Sequence, residues 1–282
     1  MNRLNLHLVS DSTGETLEMI AKAALAQFDD PSVNRYFWPM VRSRQHLDRI
    51  VSDFAENPGL VLFTLVNPET RARLEEHCRH LGLPAVPVLD QVTAALEAQL
   101  GQEAQGRPGR QHTMDADYFK RVDAIQYTIA HDDGVGHEDW EQADIVLAGV
   151  SRSSKTPTSI YLANRGYKTA NIPLVVESPP PPALFGLRNP LVVGLTTAPE
   201  RLIQIRRNRL LTLNEGTETS YVDNERVSEE LKFARRMFAD NGWPVIDVTR
   251  RSIEESAAAI IRLVQDRTKR QKPVDDGVAK PI

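Results

Sequence analysis

The sequence predicts an α/β protein built as two successive, mostly parallel halves, and three observations carry that reading. Short apolar runs alternate with amphipathic stretches of helical spacing along most of the chain, the pattern of a sheet flanked by helices. Leu60 to Val66, LVLFTLV, is apolar almost without interruption, which suits a strand covered on both faces. Gly149 to Thr156, GVSRSSKT, lies between an apolar run and a helix start, the context that a phosphate-binding loop requires. The expected organisation is therefore an N-terminal α/β domain over 1–105, a P-loop kinase-like α/β domain over 106–268, and a disordered tail over 269–282.

The elements follow in order. Leu4 to Val9 reads as a strand, and Thr16 to Phe28 carries Leu17, Ile20, Ala24 and Phe28 at helical spacing. Tyr36 to Val41 fits a strand, Asp48 to Ala55 a helix, Leu60 to Val66 the buried strand, Glu69 to Leu81 a helix, and Ala85 to Val88 a short strand. Gly101 to His112, GQEAQGRPGRQH, is polar and glycine-rich and is the linker candidate. Asp115 to Thr128 reads as a helix or helix pair bridging the halves. Ala143 to Ala148 is a strand, with a helix from about Pro157 to Arg165. Strands are expected at Thr169 to Val175 and Leu191 to Gly194, then a basic helix from Pro199 to Leu211 and a helix from Ser228 to Asp240. Val245 to Val248 is the last strand. Ser252 and Glu255 have capping-box spacing at the head of a final helix that runs to about Gln265. The sequence shows no convincing internal repeat.

The 282 residues, 41% hydrophobic, suffice for one large core or two modest ones. With 34 basic and 38 acidic residues the formal charge is −4, which gives no support to wholesale nucleic-acid binding. The single cysteine, Cys78, rules out an intrachain disulfide and reads as an ordinary thiol in a polar helix. No apolar run approaches the length of a membrane span. The N-terminus enters a strand pattern directly, without the apolar core of a signal peptide, so a cytoplasmic location is the expectation.

In the loop, Gly149, Val150, Ser151, Arg152, Ser153, Ser154, Lys155 and Thr156 are the candidate nucleotide-binding residues. Backbone N–H groups and a helix N-terminus would converge on the phosphates, Lys155 would contact the outer ones, and the Thr156 hydroxyl would help hold Mg²⁺. The usual pattern, G-x-x-x-x-G-K-[ST], has a second glycine where this chain has Ser154. A serine fits there if the local dihedrals avoid the glycine region. Ser151, Ser153 and Ser154 add hydroxyl donors. Asp247, at the end of the run PVID, has the form of a metal-binding carboxylate after a strand, or of a brace for the following turn. Arg201, Arg206, Arg207 and Arg209 form a basic helix; Arg206 and Arg209 lie one turn apart and are the candidate clamp on the phosphates, against a solvated helix face as the alternative. His131, Asp132, Asp133 and Gly134 follow the apolar run YTIA. Taken alone they favour a solvent-facing Asp-Gly turn.

Four separated motifs, HLVSDSTGETLE (7–18), YTIAHDDG (127–134), GVSRSSKTPTSIYLANRGYKTANIPLV (149–175) and PVIDVTRRSIEESA (244–257), resemble one family over residues 3–265. It is the family of bifunctional regulatory proteins that act on pyruvate, phosphate dikinase or on phosphoenolpyruvate synthase. The resemblance implies an ADP-dependent serine/threonine kinase that phosphorylates a threonine of its target. It also implies phosphate-dependent reversal, releasing pyrophosphate. The dikinase is the favoured target and the synthase the alternative, with a small-molecule P-loop kinase as a further one. The substrates expected are ADP and inorganic phosphate, with Mg²⁺ as cofactor. A homodimer is expected only from the general frequency of dimers.

Through the resemblance the site gains roles. Lys155, Arg152, Asp132 and Asp133 are the candidate catalytic residues, with Asp132 favoured as the base and Asp133 as the alternative. Arg152 and the clamp arginines answer a need of phosphorolysis, in which two anions must be brought together. Ser10, Asp11, Ser12, Thr13 and Gly14, in a second strand–loop–helix junction, become a candidate second phosphate or partner site. A Thr13–Thr16 helix cap is the plainer reading of that junction, and Asp11 makes it less welcoming to an anion unless a cation stands near.

Overall fold

The computed structural model describes residues 3–110, 114–212 and 220–271. The chain divides into two compact units, Met1–Thr113 and Met114–Ile282. The expected tail from residue 272 onward lies outside the described residues, while 269–271 belong to the last helix.

The first unit holds a four-stranded, fully parallel sheet in the order β2-β1-β3-β4. Its strands are β1 (Leu4–Ser10), β2 (Val33–Trp38), β3 (Leu60–Thr64) and β4 (Ala85–Pro87). Helices α1 (Glu15–Leu25), α2 (Arg44–Glu56), α3 (Pro68–His80) and α4 (Asp90–Leu100) follow the strands in turn. Alternation along β1 sends Leu6 and Leu8 toward Leu17 and Ala21 of α1, while Val9 joins Val61, Phe63, Leu47, Phe54 and Leu74 on the opposite face. Cys78 lies in that second core, where burial pushes its thiol up to about 11, so it stays protonated and inert. The helix starts have local causes. Ser43 accepts from the His46 N–H at the head of α2, and Asn67 from the N–H groups of Glu69 and Thr70 at the head of α3, where Pro68 needs no donor. α4 was not expected; its sequence DQVTAALEAQL carries Val92, Leu96 and Leu100 at helical spacing, but the fold leaves all three exposed and buries none of the helix's residues.

The second unit repeats the plan: a parallel sheet in the order β6-β5-β7-β8. Its strands are β5 (Ile145–Gly149), β6 (Thr169–Pro173), β7 (Leu191–Thr196) and β8 (Val245–Asp247). Around them lie α5 (Ala116–Ala130), α6 (Lys155–Asn164), α7 (Ala183–Gly186), α8 (Pro199–Thr212), α9 (Asn224–Asp240) and α10 (Ile253–Gln271). Every residue of β5 is buried. Val146 and Ala148 face Tyr127, Leu202, Leu231 and Phe238, whereas Ile145 and Leu147 face Leu162, Ala257 and Ile260. The box at the head of α10 forms reciprocally: the Glu255 carboxylate accepts from the Ser252 N–H, and the Ser252 hydroxyl accepts from the Glu255 N–H.

The two strand orders are the same when each unit is numbered from its own first strand. This internal repeat left no trace that the sequence reading recognised. In both units the loop after the first strand opens the first helix of the sheet, at the carboxyl edge where strand order reverses. Parallel sheets bind their ligands there.

Candidate functional site

The loop of 150–154 joins β5 to α6, and its backbone is shaped by close approach. A Cβ on Gly149 would stand 2.7 Å from the Ser153 hydroxyl and 2.8 Å from the Leu195 carbonyl, so only glycine lets the loop fold over the strand end. The Ser153 hydroxyl donates to the Val150 carbonyl at 2.9 Å and closes the turn. Ser154 caps α6 in the left-handed conformation, φ 64°, with no side-chain cap bond. Ser154 thus occupies the left-handed region that favours glycine. Arg152 (φ 69°) and Asp133 (φ 50°) do so as well. These are three of the five non-glycine residues with positive φ among the described residues, and all three line one cleft. Each costs about 1–2 kcal/mol, and such strain gathers where geometry serves function.

That cleft, about 240 Å³, is lined by Asp133, Ser151, Arg152, Ser154, Lys155, Thr156, Pro157 and Ile205. Lys155 opens α6 but is only 5% exposed, and its ammonium donates to the Val150 carbonyl at 3.0 Å. Burial lowers its pKa to about 8, against the opposing pull of Asp133 and Asp132, with Arg152 and Arg206 adding to the depression. Thr156, half-buried, donates its hydroxyl to Asp132 Oδ1 at 3.0 Å.

The run YTIA is the last turn of α5, so HDDG is a helix-ending turn. His131 is buried, stacks on Tyr127 with centroids 3.8 Å apart, and bonds through Nδ1 to the Tyr127 carbonyl. Asn171, in the middle of β6 and fully buried, fastens the turn. Its amide donates to Asp132, its side-chain oxygen accepts from the Asp133 N–H, and its backbone pairs with His131 and Gly134. The two carboxylates are thereby separated. Asp132 is held by Thr156 and Asn171, and Asp133 lines the cleft.

The candidate clamp pair divides. Arg209 is exposed. Arg206 is fully buried, pairs with Glu230 at 2.6 Å, and donates to the carbonyls of Ser151 and Tyr221. Its guanidinium lies 4.3 Å from the Tyr221 ring, whose hydroxyl meets the Ser151 hydroxyl at 3.2 Å. Arg206 therefore fixes the loop from behind, while its neighbour Ile205 faces the cleft. Asp247 accepts from the N–H and hydroxyl of Thr249 and braces the turn after β8. Sequence reasoning missed Asn171, Tyr221 and Glu230. Asn171 alone left a signal, as a polar residue inside an apolar strand run.

In the first unit, Ser10, Asp11, Ser12 and Gly14 line a cleft of about 220 Å³. Thr13 is exposed. The head of α1 carries no Thr13–Thr16 box; its cap is Gly14 in the left-handed conformation, φ 82°, where a Cβ would meet the Phe37 ring at 2.5 Å.

A cleft with a buried lysine, a hydroxyl–carboxylate pair and a second aspartate in its wall suits phosphoryl transfer. The whole-chain comparison decides among such proteins: the family model described as kinase/pyrophosphorylase matches residues 6–261. The chain belongs to the kinase/pyrophosphorylase family. It is thus a phosphotransferase. Three relatives illustrate its place in the family, each named "Putative pyruvate, phosphate dikinase regulatory protein". One from Erythrobacter litoralis is 78% identical over 282 residues, covering 100% of both chains. One from Novosphingobium aromaticivorans is 76% identical, covering 95% of this chain and 96% of its own. One from Sphingopyxis alaskensis is 72% identical, covering 95% and 99%. In this kinase/pyrophosphorylase chain, no helix among the described residues is long and apolar enough to cross a membrane.

Proposed function

We propose that the chain regulates pyruvate, phosphate dikinase by transferring the β-phosphoryl group of ADP to a threonine of that enzyme. We further propose that it removes the group by phosphorolysis. In the first direction the threonine oxygen bonds to the β-phosphorus, the bond to AMP breaks, and the hydroxyl proton passes to a base. In the second, inorganic phosphate attacks the phosphothreonine, pyrophosphate leaves, and the threonine oxygen regains its proton. The observation that supports one phosphate position for both directions is the single cleft that brings Lys155, Arg152, Thr156 and Asp133 together.

Roles follow from what each side chain can reach. Lys155 and the N–H groups at the head of α6 face the transferring phosphate, and Arg152 adds charge. Asp133, in the cleft, is the group placed to exchange the threonine proton, which moves that role from the favoured Asp132 to its neighbour. Thr156 and Asp132 form a hydroxyl–carboxylate donor set that fits Mg²⁺, an ion that takes one or two protein ligands alongside substrate phosphates and water. Bound there, Mg²⁺ would neutralise charge on the phosphates. Arg206 positions the loop through the Ser151 carbonyl and leaves the clamp role to Arg152. The relatives' printed name favours the dikinase over phosphoenolpyruvate synthase.

The test is incubation with ADP, ATP or GTP and the dikinase, then mass spectrometry of the target's peptides. Threonine phosphorylation with ADP alone, reversed by phosphate with release of pyrophosphate, is the expected result. Transfer from ATP with none from ADP would overturn the reading, and so would modification of the synthase in preference to the dikinase.

A further inference from the structure

We propose that the first unit carries a second ligand site, separate from the loop at 150–154, which takes a nucleoside phosphate such as ADP. The inference begins with the repeated strand order. Gly14 and Ser154 cap corresponding helices, and both are left-handed, so α1 presents its first N–H groups at the carboxyl edge of its sheet as α6 does. Where α6 begins with Lys155, α1 begins with Glu15, which is exposed. The cation instead comes from the segment after α4. Arg107 and Arg110 line the same cleft as Ser10, Ser12 and Gly14, and Arg107 has no partner among the described residues.

The lining is prepared for an anion. Ser12, 7% exposed, stands in the wall of the cleft, where its hydroxyl can donate to an anion. Asp11, the residue expected to repel phosphate, turns its carboxylate onto the Val66 N–H at 2.8 Å, and Arg42 holds its carbonyl at 2.7 Å. The carboxylate also lines the cleft, where that bond ties it to the backbone after β3 and leaves Arg107 and Arg110 to offset its charge.

The ligand's other end is set by a second, larger cavity of about 550 Å³ that shares Thr64, Val66, Leu89, Arg107 and Arg110 with the first. Phe63, Leu65, Ala94 and Ala104 give it apolar wall, with Arg71 and Asp90 paired to each other at its side. A bare phosphate would leave this space unused. A phosphate carried on a ring system of nucleoside size would fill both cavities, with its anion on Ser12, Arg107 and the head of α1 and its ring against Phe63 and Leu89.

Equilibrium dialysis of labelled ADP against the full chain tests this, with Lys155→Ala to disable the loop. Wild type is expected to bind two equivalents and Lys155→Ala one. Adding Arg107→Glu, or Ala94→Trp to fill the larger cavity, should weaken the remaining equivalent at least tenfold. Both positions are exposed, so neither change threatens the fold. A single wild-type equivalent that disappears in Lys155→Ala would overturn the proposal, as would a remaining equivalent indifferent to both added changes. Two equivalents that survive Lys155→Ala, one of them lost with Arg107→Glu, would uphold this site and defeat the reading of the loop. Inorganic phosphate binding to the Lys155→Ala protein where ADP does not would overturn the nucleoside assignment.

Discussion

The Thr156 hydroxyl donates to the Asp132 carboxylate across 3.0 Å, tying the first turn of α6 to the turn that ends α5. The bond holds one aspartate of the HDDG turn against the helix while Asp133 remains at the cleft. Asp132 and Asp133 should therefore respond differently to the same change. Asp133→Asn is expected to lower kcat about 10²- to 10⁴-fold with little change in ADP affinity, the usual range for loss of a proton acceptor. Asp132→Asn and Thr156→Val should instead raise the Mg²⁺ concentration needed for half-maximal rate, and Thr156→Ser should restore it. Equal kcat losses with unchanged Mg²⁺ dependence in both aspartate variants would refute the division of labour.

Burial of Lys155 has a pH signature. Its pKa falls from 10.5 to about 8 in the folded chain, so the unfolded chain binds more protons between those values. Stability from this group is accordingly lowest below pH 8 and rises as pH climbs toward 10.5. Phosphate binding runs the opposite way, since it needs the ammonium. ADP affinity at the loop should decline about tenfold per pH unit above pH 8, with proton uptake on binding. Calorimetry in buffers of differing ionisation enthalpy would detect that uptake, and Lys155→Arg should abolish it.

Ser154 sits in a conformation that glycine adopts without penalty. Ser154→Gly should stabilise the chain by about 1 kcal/mol, visible as a higher melting temperature, and it also completes the familiar glycine-lysine pattern of phosphate loops. A fall in melting temperature would mean that the Ser154 side chain contributes more than its backbone costs.

Arg206 and Glu230 form an ion pair in which the arginine is fully buried. Removing the arginine alone leaves Glu230 without its partner, so Arg206→Met should cost ~3–5 kcal/mol. The double change Arg206→Met with Glu230→Met should recover much of that stability by denaturant unfolding. Because the Ser151 carbonyl loses its donor in both, ADP binding should stay weak in the recovered double variant. Full recovery of binding would show that Arg206 acts on the fold alone.

The strand–helix alternation was legible because period and polarity are local properties, and the loop was legible because its residues are contiguous. β5 was found within two residues of its bounds since every one of its side chains is buried. Other features lie outside what local pattern can carry. Ser154's dihedral is imposed by the strand end and helix it joins. The pairing of Arg206 with Glu230 spans 24 residues and two helices. The separation of Asp132 from Asp133 depends on Asn171, 39 residues beyond Asp132, whose amide could be seen as out of place in an apolar strand but not as pointing back to the HDDG turn. α4 went unread although Val92, Leu96 and Leu100 recur at helical spacing, a thin stripe that the fold leaves exposed. The repeated strand order escaped because topology can persist where residues such as Glu15 and Lys155 have opposite charge.

The bond from Lys155 to the Val150 carbonyl has a bearing on selectivity. An anion entering the loop must draw the ammonium away from an oxygen that already accepts it, so the gain is a difference between two attractions. Weakly charged competitors such as chloride or a carboxylate gain little from that exchange, whereas a phosphate dianion gains a great deal. Under the proposed function, that exchange would set a threshold on charge density favouring phosphate over monovalent anions.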